Sequence, residues 1–125
     1  MEWKFYTAFE DIPSKQLYDI LQLRQNIFII EQSCFYEDID GVDFEAEHLL
    51  MLNSDELCGY LRIVPPGKHF KEISIGRIIV KKTHRGHGLG AAMVKKGMDI
   101  IFAKKPQPIR IEAQAHLENF YSNLG

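Results

Sequence analysis

Apolar and polar positions change period several times along the chain, and each change predicts an element. Ile73-Ser74-Ile75-Gly76-Arg77-Ile78-Ile79-Val80 is β-branched and closes on an apolar triplet, the pattern of a central strand covered on both faces. Beyond it, Leu89, Met93, Gly97, Ile100 and Ile101 recur at helical spacing, while Lys95, Lys96 and Asp99 fall elsewhere on the turn. Lys104 and Lys105 complement the end of that helix and Pro106 stops it. Upstream, Trp3 to Phe9 reads as a first strand, broken at Asp11-Ile12-Pro13. Ser14 is the expected N-cap of an amphipathic helix carrying Leu17, Ile20, Leu21, Ile27 and Phe28, whose far end, Phe28-Ile29-Ile30-Glu31-Gln32, is apolar enough on several sides to be buried.

Ser33 to Glu47 is rich in acids and contains Asp40-Gly41, which predicts a long loop or an irregular helical turn of the length that often carries function; its Glu37, Asp38, Asp40, Asp43, Glu45 and Glu47 could attract a cationic amine, but such a run of charge reads first as a solvated surface. His48 to Asn53 and Leu57 to Val64 flank Ser54-Asp55-Glu56 and predict an antiparallel hairpin. Pro65-Pro66-Gly67 closes the second strand, and Lys68 to Lys71 leads to the central one. Ile109-Arg110-Ile111-Glu112-Ala113 alternates as a strand, and Gln114 to Leu124 reads as a short helix with Leu117, Phe120, Tyr121 and Leu124 on its apolar side. The order is strand, helix, three strands, helix, strand, helix: a mixed α/β fold of the α+β kind, not a doubly wound sheet. The helix after Val80 makes a crossover, so the strands at Ile73 and Ile109 are expected to be parallel and the connection right-handed.

With 46% hydrophobic and 26% charged residues, residues 1–125 suit a single globular domain. A formal charge of −2 provides no broad field for nucleic acid, so anion binding has to be local. Cys34 and Cys58 form neither a disulfide framework nor a CxxC pair, which favours a reducing compartment. The start lacks a basic segment followed by an apolar run, and no stretch approaches the roughly eighteen apolar residues of a membrane span. The expectation is a cytoplasmic protein without a membrane or nucleic-acid partner.

Chemistry concentrates between the central strand and its helix. In Arg85-Gly86-His87-Gly88-Leu89-Gly90 three glycines at alternate positions leave backbone N–H groups unshielded at a helix N-terminus, where free donors and the dipole favour phosphate. Gly86-x-Gly88-x-x-Ala91 also fits a dinucleotide fingerprint, but a Rossmann glycine turn follows its strand directly, and here Lys81 to Arg85 intervene. His84-x-x-His87 lacks Cys, Asp or Glu company in the loop and is read as solvated, so no metal is expected. Cys34 lacks a demonstrable base, and His69 needs no role.

The glycine loop matches the R/Q-x-x-G-x-G/A loop of the GCN5-related N-acetyltransferases (GNAT), and Phe120-Tyr121-Ser122-Asn123-Leu124-Gly125 resembles that family's F-Y-x-x-x-G segment. Leu23-Arg24, Ile29 to Cys34, Asp40-Gly41, Tyr60-Leu61-Arg62-Ile63 and Ala113-Gln114-Ala115-His116 resemble its ElaA-type branch, so the likeness spans nearly the whole chain. The resemblance implies a GNAT-like acyl-CoA N-acyltransferase fold, acetyl-coenzyme A as co-substrate and acetyl transfer to a small-molecule or peptide amine in a ternary complex. A coenzyme A-binding regulatory domain without turnover is the alternative.

By the same resemblance two parallel strands splay apart to admit the pantetheine arm. Ile78, Ile79 and Val80 would offer it backbone groups, an N–H near Val80 would polarise the thioester carbonyl, and Arg85, Gly86, His87, Gly88, Leu89, Gly90 and Ala91 would hold the pyrophosphate. Gln114 stands where the family often has Asn. Tyr121 matches the tyrosine that protonates the departing thiolate. Candidates for the base are Glu31, Asp40, His48, Glu112 and His116. Glu31 and Glu112 are favoured by position, although pairing with Arg24, Arg77 or Arg110 would explain either one without catalysis. Family members continue past this glycine with two more strands, so a C-terminally truncated domain is expected, with an open sheet edge that invites a homodimer.

Overall fold

In a computed structural model of the protein, residues 1–31 and 38–112 are described. Their apolar runs pair side by side in chain order. Strand β1 (Glu2–Tyr6) lies antiparallel to β2 (Glu47–Asn53), β2 to β3 (Glu56–Val64) and β3 to β4 (Ile73–Val80), while β5 (Ile109–Ile111) joins β4 in parallel. The expected parallel pair is present. The β2–β3 hairpin closes through two residues rather than three: Ser54 and Asp55, at φ 49° and 71°, are both left-handed. That conformation matches the twist of a two-residue hairpin.

Helix α1 (Ser14–Arg24) covers one face of the sheet and α2 (Leu89–Lys104) the other. Strand β2 shows why its run is almost uninterruptedly apolar: Leu49 and Met51 pack in the core under α2, and Leu50 and Leu52 in the core under α1. Gly97 lets α2 settle close to the sheet, since a Cβ there would meet Ile75 Cδ1 at 3.2 Å.

Three local expectations are corrected. The first strand ends at Tyr6, and Phe9–Asp11 forms a 3₁₀ turn. Ser14 is the first helical residue, the cap position belongs to Pro13, and no side chain caps the helix. Beyond Arg24 the helix widens into π turns over Gln25–Glu31, burying Ile27 and Phe28. Part of the acidic segment forms a 3₁₀ turn at Val42–Glu45. Strand β5 is shorter than expected, and the helix expected over 114–124 lies outside the described residues.

Candidate active site

The site forms where β4 ends and α2 begins. Lys81 N–H donates to the Cys58 carbonyl at 2.8 Å across the β3–β4 ladder. Val80, one residue earlier, therefore turns its own N–H and C=O away from β3, toward the β5 side. A 3₁₀ turn, Lys82–His84, leads to Gly86 (φ 88°) and Gly88 (φ 71°), both left-handed. A Cβ at either would meet nothing within 4 Å, so these glycines answer to backbone conformation and leave the loop surface bare. Gly88 is the N-cap of α2 and makes no side-chain cap bond. The helix's hydrogen bonding starts at Ala92 N–H to the Gly88 carbonyl, 3.2 Å. Leu89, Gly90 and Ala91 thus carry the N–H groups that a helix cannot satisfy internally, a fit for a diphosphate.

On its other edge β4 meets β5. The β4–β5 ladder pairs Ile73 with Ile109, Ser74 with Arg110 and Ile75 with Ile111, and Glu112 N–H donates to the Ile75 carbonyl at 2.9 Å. This register would set Gly76 to Val80, about 13 Å of strand at ordinary rise, mostly against residues 113 onward, which lie outside the described residues. Ile78 and Ile79 bury their side chains in the cores on opposite faces, which leaves only backbone for a ligand, and the alternation that turns Val80 away from β3 turns the Ile79 N–H and C=O toward it, so Ile79 does not offer the backbone groups expected of it.

A bulge sits within Gly76 to Val80. Tyr60 pairs with Ile79 and Arg62 with Gly76, so β4 carries an extra residue there. Arg77, in the bulge, has φ 51°, an uncommon conformation for a side-chain-bearing residue. Its guanidinium meets Asp38 at 2.9 Å, Asp40 at 3.2 Å and Glu112 at 3.5 Å. Arg24 binds Asp38 and Asp43, and Arg62 binds Asp40 and Asp43, at 2.8 to 3.0 Å. Three arginines and three aspartates thus neutralise one another beside the bulge.

This cluster corrects the reading of the acidic segment as a solvated face or a lure for cationic amines: Asp38 and Asp43 are buried. It also removes two candidate bases. Burial alone would raise the Asp40 pKa, but Arg62, the Val42 N–H and Arg77 hold that carboxyl well below the usual range. Burial pushes the His48 imidazole down, and its ring nitrogens are engaged by the Tyr60 hydroxyl at 2.6 Å and the Asp43 carbonyl at 3.0 Å.

Glu31 and Glu112 stand by different ends of the Ile75 to Val80 stretch of β4. Arg85 donates Nε to the Val80 carbonyl at 3.0 Å and grips Glu31 through both Nη atoms, at 2.7 and 3.1 Å. Glu31 is therefore paired with Arg85 rather than with Arg24, and this expected phosphate ligand has its guanidinium directed at a carboxylate. Glu112 contacts Arg77 and, at 3.3 Å, His69 Nε2. His87 is exposed, and Lys81 is paired with Glu56. Tyr121, Gln114, His116 and Cys34 lie outside the described residues. Among the described residues no cluster of potential metal ligands occurs, and no helix is long and apolar enough to cross a membrane.

The pairing of Glu112 with Arg77 is as expected, whereas the cluster of Arg77 with Asp38 and Asp40 and the contact of His69 with Glu112 are not anticipated from sequence. For Arg77 there was a signal: a cation inside an otherwise apolar strand needs buried partners. His69 had none.

Known proteins share this arrangement. Residues 9–125 match the model of the acetyltransferase (GNAT) family. The ElaA protein of Escherichia coli K12 is 38% identical over 118 residues, 92% of this chain and 77% of ElaA. The crystal structure of E. coli ElaA superposes with a TM-score of 0.90 at 37% identity, covering 99% of this chain and 85% of that one. An acyl-CoA N-acyltransferase from Pseudomonas aeruginosa superposes at 0.88 with 32% identity, covering 99% and 85%. A predicted acetyltransferase from Clostridium acetobutylicum, solved with acetyl-CoA, shares the fold at 0.73 and 15% identity, covering 99% and 88%. A bare helix N-terminus at the end of a strand with a parallel neighbour, the family model and the ElaA likeness agree, and the chain belongs to the GNAT acetyltransferase family.

Proposed function

We propose that the protein transfers the acetyl group of acetyl-coenzyme A to a primary amine by direct attack in a ternary complex. The observation that carries this reading is the uncapped start of α2, set behind two left-handed glycines at the end of a strand with a parallel neighbour. The N–H groups of Leu89, Gly90 and Ala91 suit the pyrophosphate, and the outward backbone of β4 suits the pantetheine amides. The Val80 N–H, turned to the same side, would polarise the thioester carbonyl.

Glu112 is the carboxylate that best suits the amine side. Glu31 is held by a bidentate guanidinium, whereas the Glu112 contacts are longer, at 3.3 and 3.5 Å. Among the described residues the cysteine is Cys58, which is unsuited to form an acetyl-enzyme because it is buried and burial pushes its thiol up, away from the thiolate form. Tyr121 is proposed as the acid for the leaving thiolate, from its place in the Phe120-Tyr121 motif.

The test is release of free thiol from acetyl-coenzyme A over a panel of amines, comparing wild type with Tyr121→Phe. Thiol release above the no-enzyme rate is expected, with turnover reduced about 100-fold or more in the variant. Cofactor binding with no thiol release by the wild type would reject the reading.

A further inference from the structure

The 3₁₀ turn Lys82–His84 carries the chain past the end of β4, and Arg85 follows it in an extended conformation just before the left-handed Gly86. From there the guanidinium reaches back to β4. Nε donates to the Val80 carbonyl at 3.0 Å, while Nη1 and Nη2 hold the two oxygens of Glu31 at 2.7 and 3.1 Å. One side chain thus joins the end of the central strand, the glycine loop and the last residue of the π turn Gln25–Glu31. The Val80 carbonyl is one that β3 does not use, because the ladder there is carried by Lys81 N–H to Cys58. It faces the side on which the pantetheine arm would lie, so an acceptor suited to that arm is taken by the protein's own guanidinium. We propose that the Arg85–Glu31 pair closes the donor site until a donor's diphosphate draws Arg85 off the Val80 carbonyl, and that it thereby selects coenzyme A thioesters over pantetheine thioesters that lack the diphosphate. The inference deepens the acetyl-transfer reading and rests on it.

Exposure makes this pair exchangeable where the buried cluster is not. Arg24 and Arg62 are sealed from water, whereas the Arg85 and Glu31 side chains are 38% and 35% exposed. Water already competes for both partners, so opening the pair costs little. A guanidinium offers two parallel N–H donors to a carboxylate or to a phosphate alike, so Arg85 can pass from one to the other without changing its mode of binding.

The direction of the exchange follows from charge. A diphosphate seated on the N–H groups of Leu89, Gly90 and Ala91 brings more negative charge than one carboxylate. Arg85 stands four residues before Leu89, so the chain keeps their Cα atoms within about 14 Å of each other. Once Arg85 turns to the diphosphate, the Val80 carbonyl is released to an amide N–H of the pantetheine arm. A donor without phosphates has no such pull. It has to displace the guanidinium with a neutral amide N–H, exchanging a charge-assisted bond for a weaker one.

The test compares dissociation constants for acetyl-coenzyme A, S-acetylpantetheine and phosphoadenosine diphosphate, the half of coenzyme A without pantetheine. They are measured by calorimetry, the weaker ligands by competition against acetyl-coenzyme A, for wild type, Arg85→Met and Glu31→Gln, with folding checked by far-UV circular dichroism. Arg85→Met keeps the length of the side chain without its donors, and should bind S-acetylpantetheine about fivefold more tightly than wild type and the nucleotide half about fivefold more weakly. Glu31→Gln loosens the guanidinium from the other side and should bind the nucleotide half about threefold more tightly, with kcat for thiol release within about threefold of wild type. Shifts of opposite sign in one variant require one guanidinium to serve Val80 in the closed site and the diphosphate in the open one. Weaker binding of the nucleotide half by Arg85→Met with no gain for S-acetylpantetheine would make Arg85 a plain phosphate ligand, and unchanged affinity for both would make it a fixed strut. Either result overturns the proposal while acetyl transfer stands. Should Arg85→Met fail to fold, Glu31→Gln decides alone, and an affinity for the nucleotide half no higher than that of wild type overturns the proposal. A wild type that binds none of the three ligands and releases no thiol overturns both readings.

Discussion

Replacing Asp43 with alanine tests the buried charge cluster most directly. One oxygen, Oδ1, accepts Arg24 Nη1 at 2.8 Å and Arg62 Nη1 at 2.9 Å. Both arginines are essentially inaccessible, at 1% and 0% exposure, so neither can exchange the lost partner for bulk water. Breaking a buried pair from one side costs about 3–5 kcal/mol, because the remaining charge is stranded. For a domain of this size that corresponds to a drop of roughly 10–20 °C in Tm. The figure is the cost of stranding the arginines; an apolar replacement of the whole cluster would cost far less. Asp43→Asn keeps an acceptor but loses the charge and should cost about 2 kcal/mol. The assay is urea unfolding followed by far-UV circular dichroism and by the fluorescence of Trp3, with unchanged m-values as the check on two-state behaviour. Because the pairs are buried, 0.5 M salt should leave the difference standing. An Asp43→Ala protein within about 1 kcal/mol of wild type would refute the view that this carboxylate holds the two guanidiniums in place.

Other consequences follow from the same geometry. The folded-state pKa values of His48, Asp40 and Asp43 are all depressed, so each contributes stability at neutral pH that is lost as pH falls. Urea midpoints should begin to fall below about pH 6.5, the unfolded imidazole's range, and fall further below about pH 4, the unfolded carboxylates' range; a midpoint flat from pH 8 to 5 would remove the share assigned to His48. Gly88→Ala places a side chain at φ 71° where space is open, so it should cost about 1 kcal/mol of stability and also weaken acetyl-coenzyme A binding at least tenfold by calorimetry. An unchanged affinity would separate the glycine loop from the cofactor. Glu31→Gln should change turnover less than about threefold and stability by less than about 1 kcal/mol, since the pair with Arg85 is partly exposed; a hundredfold loss of thiol release would return Glu31 to the role of base.

Where an element rests on local pattern, it was legible. Strand β4 and helix α2 have the limits their residues predict, Ile73–Val80 and Leu89–Lys104. Alternation, helical spacing and Pro106 act within a few residues of where they are read, and the glycine loop's chemistry is equally local. Ser14 shows the limit of that logic, since a residue suited to capping became the first helical residue when Pro13 took the cap position.

The charges tell the other half. Asp38, Asp40 and Asp43 looked like a solvated run because their partners stand far off in the chain, at Arg24, Arg62 and Arg77, and only folding turns the segment inward. The bulge at Arg77 and the meeting of His69 with Glu112 likewise depend on how distant strands register. Hydrophobic period and backbone conformation are properties of neighbouring residues and can be read in order. Which charge is neutralised, and which imidazole faces which carboxylate, depends on distances of a few ångströms between residues tens of positions apart, and those distances exist only once the sheet has formed.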